Sequence, residues 1–229
     1  MIDLYILSTA NLDDPRVHQE WKEKLPDGRW EKAVRLVSPK ERKNSAGAGW
    51  LMSYAFREKG IPLDKKYFSL GKHGKPEHAL VHFNLSHSGE YAVCAMAKKE
   101  VGCDIQKITA AREKIMRRFF SPEEERYVWQ GKEPGEKEPD TKSERFTRIW
   151  TRKESYVKRT GEGLTQDLRE IPCLGDRDFY EWQMDGYILT ICHEDVGRKS
   201  DFSVGGKGKD REDVVRIHAL DGRQMWGID

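Results

Sequence analysis

A few polar side chains are spaced so that they could do chemistry together. Asp104 and Gln106 lie two apart in Val101-Gly102-Cys103-Asp104-Ile105-Gln106, which reads as a strand. Side chains alternate along a strand, so both project from one face while Cys103 and Ile105 take the other. Two oxygen donors on one face suit a hard cation such as magnesium. A solvent-exposed strand face would carry the same pattern. Farther on, Trp150-Thr151-Arg152-Lys153-Glu154-Ser155-Tyr156-Val157-Lys158 reads as helix, with Glu154 and Lys158 at neighbouring i, i+4 positions. The pair is either a surface salt bridge, worth about 0.3–0.5 kcal/mol, or a metal carboxylate beside an ammonium for phosphate. Lys153 adds a second cation on nearly the same side, and crowded like charges suit a bound anion.

Two further segments are polar clusters. Phe83-Asn84-Leu85-Ser86-His87-Ser88-Gly89 ends an apolar strand. It lacks a Gly-x-Ser-x-Gly elbow, and sequence neighbours diverge too much to form a triad. His87 is either a hydrogen-bonding loop residue or a donor to phosphate. Gly71-Lys72-His73-Gly74-Lys75-Pro76 is a flexible loop ending in a cation. It does not match the phosphate loop of nucleotide hydrolases, and a plain hairpin loop explains it equally well.

These residues need elements to position them. Strands are expected at 2–8, 67–70, 80–85, 91–97, 101–106, 188–192 and 214–220, and helices at 16–25, 40–59 and 110–119. Strands 91–97 and 101–106 read as a hairpin across Lys98-Lys99-Glu100. Ser121-Pro122-Glu123-Glu124 and Thr141-Lys142-Ser143-Glu144 are capping boxes that open two more helices, the second closed by Gly161. Segments 130–142 and 195–213 are polar loops. Tyr91-Ala92-Val93-Cys94-Ala95 and Tyr187-Ile188-Leu189-Thr190-Ile191 are both Tyr-led apolar strands, an internal echo of ordinary strand composition.

Composition bounds the function. Charged residues make up 35% of the 229, yet 41 Lys and Arg face 39 Asp and Glu, leaving a net charge of +2. A nucleic-acid binder working through its overall field carries a clear basic excess, and this chain does not. No run of 18 apolar residues encodes a membrane span, and the apolar start reads as a first strand rather than a signal peptide. Cys94, Cys103, Cys173 and Cys192 form no Cys-x-x-Cys pair, which argues against zinc and suits reduced thiols in the cytoplasm.

The order of these blocks is more specific than any one. Gly74-Lys75-Pro76, Phe83 to Gly89, Gly102 to Gln106, Phe119-Phe120-Ser121-Pro122-Glu123-Glu124, and Trp150 to Ser155 with Lys158 and Gly161-Glu162-Gly163-Leu164 follow one another in order, within a resemblance that spans roughly residues 36–165. The series resembles the 4'-phosphopantetheinyl transferases of the large, single-chain, surfactin-synthetase-activating type. The resemblance implies an α+β fold of two similar halves, 1–100 and 101–229, forming a pseudo-dimer with coenzyme A in the cleft. It implies a monomer with an internal pseudo-two-fold. The implied reaction moves phosphopantetheine from coenzyme A to a serine of an apo acyl or peptidyl carrier protein and releases adenosine 3',5'-bisphosphate.

By matching positions, Asp104 and Glu154, with Gln106, would hold magnesium. Lys153 and Lys158 would contact phosphates, Lys158 near the reacting β-phosphate. His87, with Ser86 beside it, would bind the 3'-phosphate, and Lys75 and Pro76 would line the adenine side. Glu154, or a water on the metal, would take the serine proton, and Glu124 matches either an acid near the metal or a helix cap. Two departures stand out. Gln106 replaces the second acid of Gly-x-Asp-x-Glu, and no Arg sits where members hold the 3'-phosphate from the early helix, leaving Lys43 or Arg42 to substitute. Those departures motivate the alternative of a coenzyme A or carrier-binding module with little turnover. A metal-dependent phosphohydrolase is a third reading, without a motif of its own.

Overall fold

The computed structural model describes residues 1–18, 20–26, 28–131, 141–163, 167–175, 179–193 and 215–220. The first half runs β1 (Ile2–Ser8), α1 (Glu20–Lys24), α2 (Arg29–Val34), α3 (Pro39–Glu58), β2 (Phe68–Leu70), β3 (Pro76–His78), β4 (His82–Ser88) and β5 (Tyr91–Ala97). The second runs β6 (Val101–Lys107), α4 (Glu113–Phe119), α5 (Pro122–Gln130), α6 (Lys142–Thr160), β7 (Phe179–Met184), β8 (Tyr187–His193) and β9 (Val215–Leu220). Strands order as β4-β5-β1-β9, β2-β3 and β6-β8-β7, an α+β architecture.

Strand alternation builds the layers. Tyr5 and Leu7 of β1, with Ala92, Cys94 and Met96 of β5, face a core shared with Trp50, Leu51, Ala55 and Phe56 of α3. The intervening residues Ile2, Leu4, Ile6, Val93, Ala95 and Ala97 face the opposite way. There they meet Val101, Cys103 and Ile105 of β6 and Leu189 and Ile191 of β8. A third core packs Phe146, Ile149 and Val157 of α6 against Met116, Phe120 and Cys192. The two larger sheets thus lie between α3 and α6. The last strand, β9, returns to the first sheet and pairs in parallel with β1.

Caps set the ends of the long helices. Ser38 accepts from the Glu41 amide at 3.4 Å and Pro39 occupies the first turn of α3. Both expected capping boxes form. Glu124 N donates to Ser121 Oγ at 3.3 Å and Ser121 N to Glu124 Oε2 at 2.8 Å. Thr141 and Glu144 reciprocate in the same way, and Gly161 ends α6 at φ 72°.

Several expectations shift. The helix at 16–25 shrinks to α1, α2 follows where none was expected, and β7 is an unforeseen strand. Strands β5 and β6 do not form a hairpin. Both edges of β5 are taken by β1 and β4, so β6 crosses to the other sheet and pairs with β8. The loops expected at 130–142 and 195–213 lie mostly outside the described residues. Among the described residues no helix is long and apolar enough to cross a membrane. All four cysteines are buried and none forms a disulfide.

Candidate functional site

The site begins with a close approach. Gly102 is buried in β6, and a Cβ there would lie 2.0 Å from the Ser155 carbonyl oxygen and 2.4 Å from the Arg159 amide. Both are backbone atoms of α6, so only glycine lets the helix lie this near the strand. That contact brings Glu154 and Lys158 over Asp104. Asp104 and Gln106 share a face of β6, as alternation requires.

Asp104 is only 1% exposed. Its Oδ1 accepts from Lys158 Nζ at 2.5 Å and from Ser86 Oγ at 2.7 Å, while Oδ2 accepts from Gln106 Nε2 at 3.0 Å. Lys158 also donates to Ser86 Oγ at 3.0 Å. Four of the expected residues are therefore one hydrogen-bonded cluster drawn from both halves. Glu154 sits half-buried beside it, with no hydrogen bond or ion pair among the described residues. Burial, then the Asp104 charge, raises the Glu154 carboxyl above its usual value, against the opposing pull of Lys158. Burial alone would lower the Lys158 ammonium, but Asp104 overrides it and raises the group.

Two carboxylates repel each other here with a single ammonium between them. An all-oxygen donor set of this kind fits a hard divalent cation: Asp104 and Glu154 as carboxylates, the Gln106 amide as a neutral donor. Among the described residues no group of three or more His, Cys, Asp or Glu side chains forms a denser candidate.

His87 points to the opposite face of β4 from Ser86 and is exposed at its edge. Desolvation by the surrounding protein, then the charges of Lys158, Lys32 and Arg29, hold its imidazole below the ordinary value. Arg29 and Lys32 are cations that motif spacing did not reveal. They stand three apart on α2, on one helical face, and neither side chain has a hydrogen bond or ion pair among the described residues. Burial lowers both, and Arg29 lowers Lys32 further. Unpaired, partly desolvated cations near one imidazole are a set that an anion could meet.

Nearby, a cavity of about 280 Å³ is lined by Thr9, Ala10, Pro39, Lys40, Lys43, Asn44, Gly89 and Glu90. Lys43 donates to Ala10 O at 3.2 Å and borders this space. Asn44 forms its floor, accepting from Thr9 Oγ1 at 2.5 Å and donating to Gly89 O at 3.0 Å. Arg42 is committed elsewhere. It grips Asp14 through Nε at 2.9 Å and donates to the Leu36 and Val37 carbonyls at 2.9 and 2.6 Å.

Four further expected residues, Lys153, Glu124, Lys75 and Pro76, lie apart from the Asp104 cluster. Lys153 is fully buried, paired with Glu124 Oε2 at 2.8 Å and donating to the Leu168 and Ile171 carbonyls at 2.6 and 3.1 Å. Five residues of helix separate it from Lys158 by about 140° around the axis, so the two cannot share a side. Glu124 is both helix cap and partner of Lys153, and it also accepts from Cys173 N at 3.2 Å. Lys75 donates to Arg159 O at 2.5 Å, beyond Lys158 on α6, with its stem near Gly161. The adjoining Pro76 opens β3 and is exposed.

Comparison with known proteins adds a separate line. Residues 100–199 match the family model described as the 4'-phosphopantetheinyl transferase superfamily. The chain is 31% identical over 166 residues to 4'-phosphopantetheinyl transferase gsp of Aneurinibacillus migulanus, covering 72% of this chain and 68% of that one. It is 33% identical over 172 residues to 4'-phosphopantetheinyl transferase HetI of a Nostoc species, covering 70% and 69%. With 4'-phosphopantetheinyl transferase Sfp of Bacillus subtilis it is 35% identical over 111 residues, about half of each chain at 46% and 47%.

Proposed function

The chain belongs to the 4'-phosphopantetheinyl transferase superfamily, and on that premise we propose that it moves phosphopantetheine from coenzyme A to a serine of an apo carrier protein. The observation that carries the reading is the Asp104, Ser86 and Lys158 cluster with Glu154 unpaired beside it. Within the superfamily we read the chain as the large single-chain type, a reading supported by one chain carrying both larger sheets and both long helices. We read those halves as a pseudo-dimer with coenzyme A between them.

Asp104 and Glu154, with the Gln106 amide, would hold magnesium. The cation supplies charge compensation to the pyrophosphate. On the anion side, Arg29, Lys32, Lys43 and His87 would meet the 3'-phosphate, and Lys43 rather than Arg42, which is engaged with Asp14, would fill the role of the missing arginine. Lys158 presents its ammonium to the β-phosphate. Glu154, its carboxyl raised by burial and Asp104, takes the proton from the serine hydroxyl. The serine oxygen bonds to the β-phosphorus as the bond from that phosphorus to the α-phosphate oxygen breaks. Adenosine 3',5'-bisphosphate leaves with the electron pair. Catalysis is then mostly charge placement and positioning, the usual division for phosphoryl transfer.

The test is direct. The protein is incubated with coenzyme A, magnesium and apo carriers of several classes, and each carrier is weighed. Transfer is expected, with E154Q slower by about 10²–10⁴-fold, the span of a general base. No mass gain on any carrier overturns the reading. Calorimetric binding of coenzyme A without transfer would instead support a binding module, which Gln106 in place of an acid favours.

A further inference from the structure

The larger sheets meet at β4 and β6 through side chains. β6 is the outer strand of its sheet, with β8 on one side only. On the other side its N–H groups meet three side chains of β4. Cys103 N donates to Asn84 Oδ1 at 3.1 Å, Ile105 N to Ser86 Oγ at 3.4 Å, and Lys107 N to Ser88 Oγ at 3.1 Å. The donors alternate along β6 and the acceptors alternate along β4, so the three bonds form one ladder. Cys103 adds a thiol bond to the Asn84 carbonyl oxygen at 3.4 Å.

A buried N–H without a partner is costly, which makes this ladder a constraint on where β6 can sit. Asn84 anchors a buried rung and is itself only 9% exposed. It has no hydrogen bond to Asp104, Lys158 or Glu154. The next residue along β6 after its partner is Asp104.

We propose that Asn84 is a positioning residue for transfer: its amide oxygen sets the register of β6 on β4 and so holds Asp104 within reach of Ser86 and Lys158. The proposal rests on the transfer reading above. It gives the alternation of Asn84, Ser86 and Ser88 one purpose. Those three face β6, while His87 between them faces the anion-binding cations. One strand thereby ties the phosphate end of the site to the carboxylate end.

Amide exchange and kinetics test it together. Asn84→Ala is expected to speed exchange at Cys103 by about tenfold or more. It should lower kcat by about tenfold or more while the coenzyme A KM stays within about twofold, since misplacement rather than binding is lost. Asn84→Asp keeps an acceptor oxygen and should recover most of both. If Asn84→Ala does not fold, Ser88→Ala at the open end of the ladder serves, with faster exchange at Lys107 and kcat down about two- to threefold. Unchanged exchange at Cys103, or at Lys107 in Ser88→Ala, overturns the proposal. So does unchanged kcat in an active background, or Asn84→Asp no better than Asn84→Ala. A wild type that transfers nothing overturns the transfer reading instead, and that outcome is seen before any variant is made.

Discussion

Replacing Gly102 by alanine should disconnect the two halves of the active cluster. The added Cβ would stand 2.0 Å from Ser155 O and 2.4 Å from Arg159 N. Neither atom can rotate away, because both belong to the helix backbone. Ordinary contact lies near 3.5 Å, so α6 and β6 must separate by roughly 1–1.5 Å. Glu154 and Lys158 immediately precede the two struck residues and move with them. The Lys158 bonds to Asp104 at 2.5 Å and Ser86 at 3.0 Å then stretch past hydrogen-bond range.

Overpacking of this kind costs about 1–3 kcal/mol of stability. Displacing catalytic groups by about 1 Å costs about 10²-fold in rate, equivalent to about 2.7 kcal/mol of barrier. Thermal melting, coenzyme A titration and carrier mass kinetics on G102A separate these effects. The melting temperature should fall by several degrees, kcat should drop about hundredfold, and coenzyme A affinity should fall much less than kcat, because the cations proposed for its 3'-phosphate, Arg29, Lys32 and Lys43, sit on the other half. A folded G102A with kcat within about threefold of wild type would refute the reasoning, since the helix would then tolerate the methyl without moving the site.

Three further outcomes follow from the proposed anion-binding side. Arg29→Ala and Lys32→Ala should each weaken coenzyme A binding about tenfold with kcat unchanged, and flatten its salt dependence, as read by titration at two ionic strengths. His87 is neutral near neutral pH because desolvation and then Lys158, Lys32 and Arg29 depress it, so a phosphate arriving there should draw a proton onto the ring. Calorimetry in buffers of different ionisation enthalpy should show that uptake, and His87→Gln should abolish it. The same depression means the unfolded chain binds the extra proton first. Stability without ligand should therefore fall as pH drops below about 6.5, less steeply in His87→Gln.

How much of this was legible depended on whether the determinant was local. The face shared by Asp104 and Gln106 follows from strand alternation, and the nearness of Glu154 and Lys158 from helical spacing. Both capping boxes and the Gly161 stop are local codes, and the structure forms all three. Pairing is not local. Nothing in Tyr91 to Gln106 reveals that β1 and β4 already occupy both edges of β5, so the expected hairpin was misplaced. Arg29 and Lys32 were hidden because α2 has only six residues, too short a stretch for its apolar spacing at Trp30, Ala33 and Val34 to stand out. Their own i, i+3 spacing just after Gly28 was a second signal.

Lys153 and Lys158 show why residue type alone misled. Each is an ammonium on α6 paired with one buried carboxylate. Lys153 spends its three N–H donors on Glu124, Leu168 O and Ile171 O, and the pair is exposed only 0% and 2%. An ammonium has three donors, so none remains for a ligand. Lys158 has two partners among the described residues, Asp104 and Ser86, and keeps 27% of its side chain open. Its third donor is the one that can turn to a phosphate. Removing Glu124 would strand a buried charge, a structural loss, whereas the Asp104 pair remains open to solvent on one side. The division of labour between the two lysines therefore follows from a count of donors and partners, which a helix projection alone does not supply.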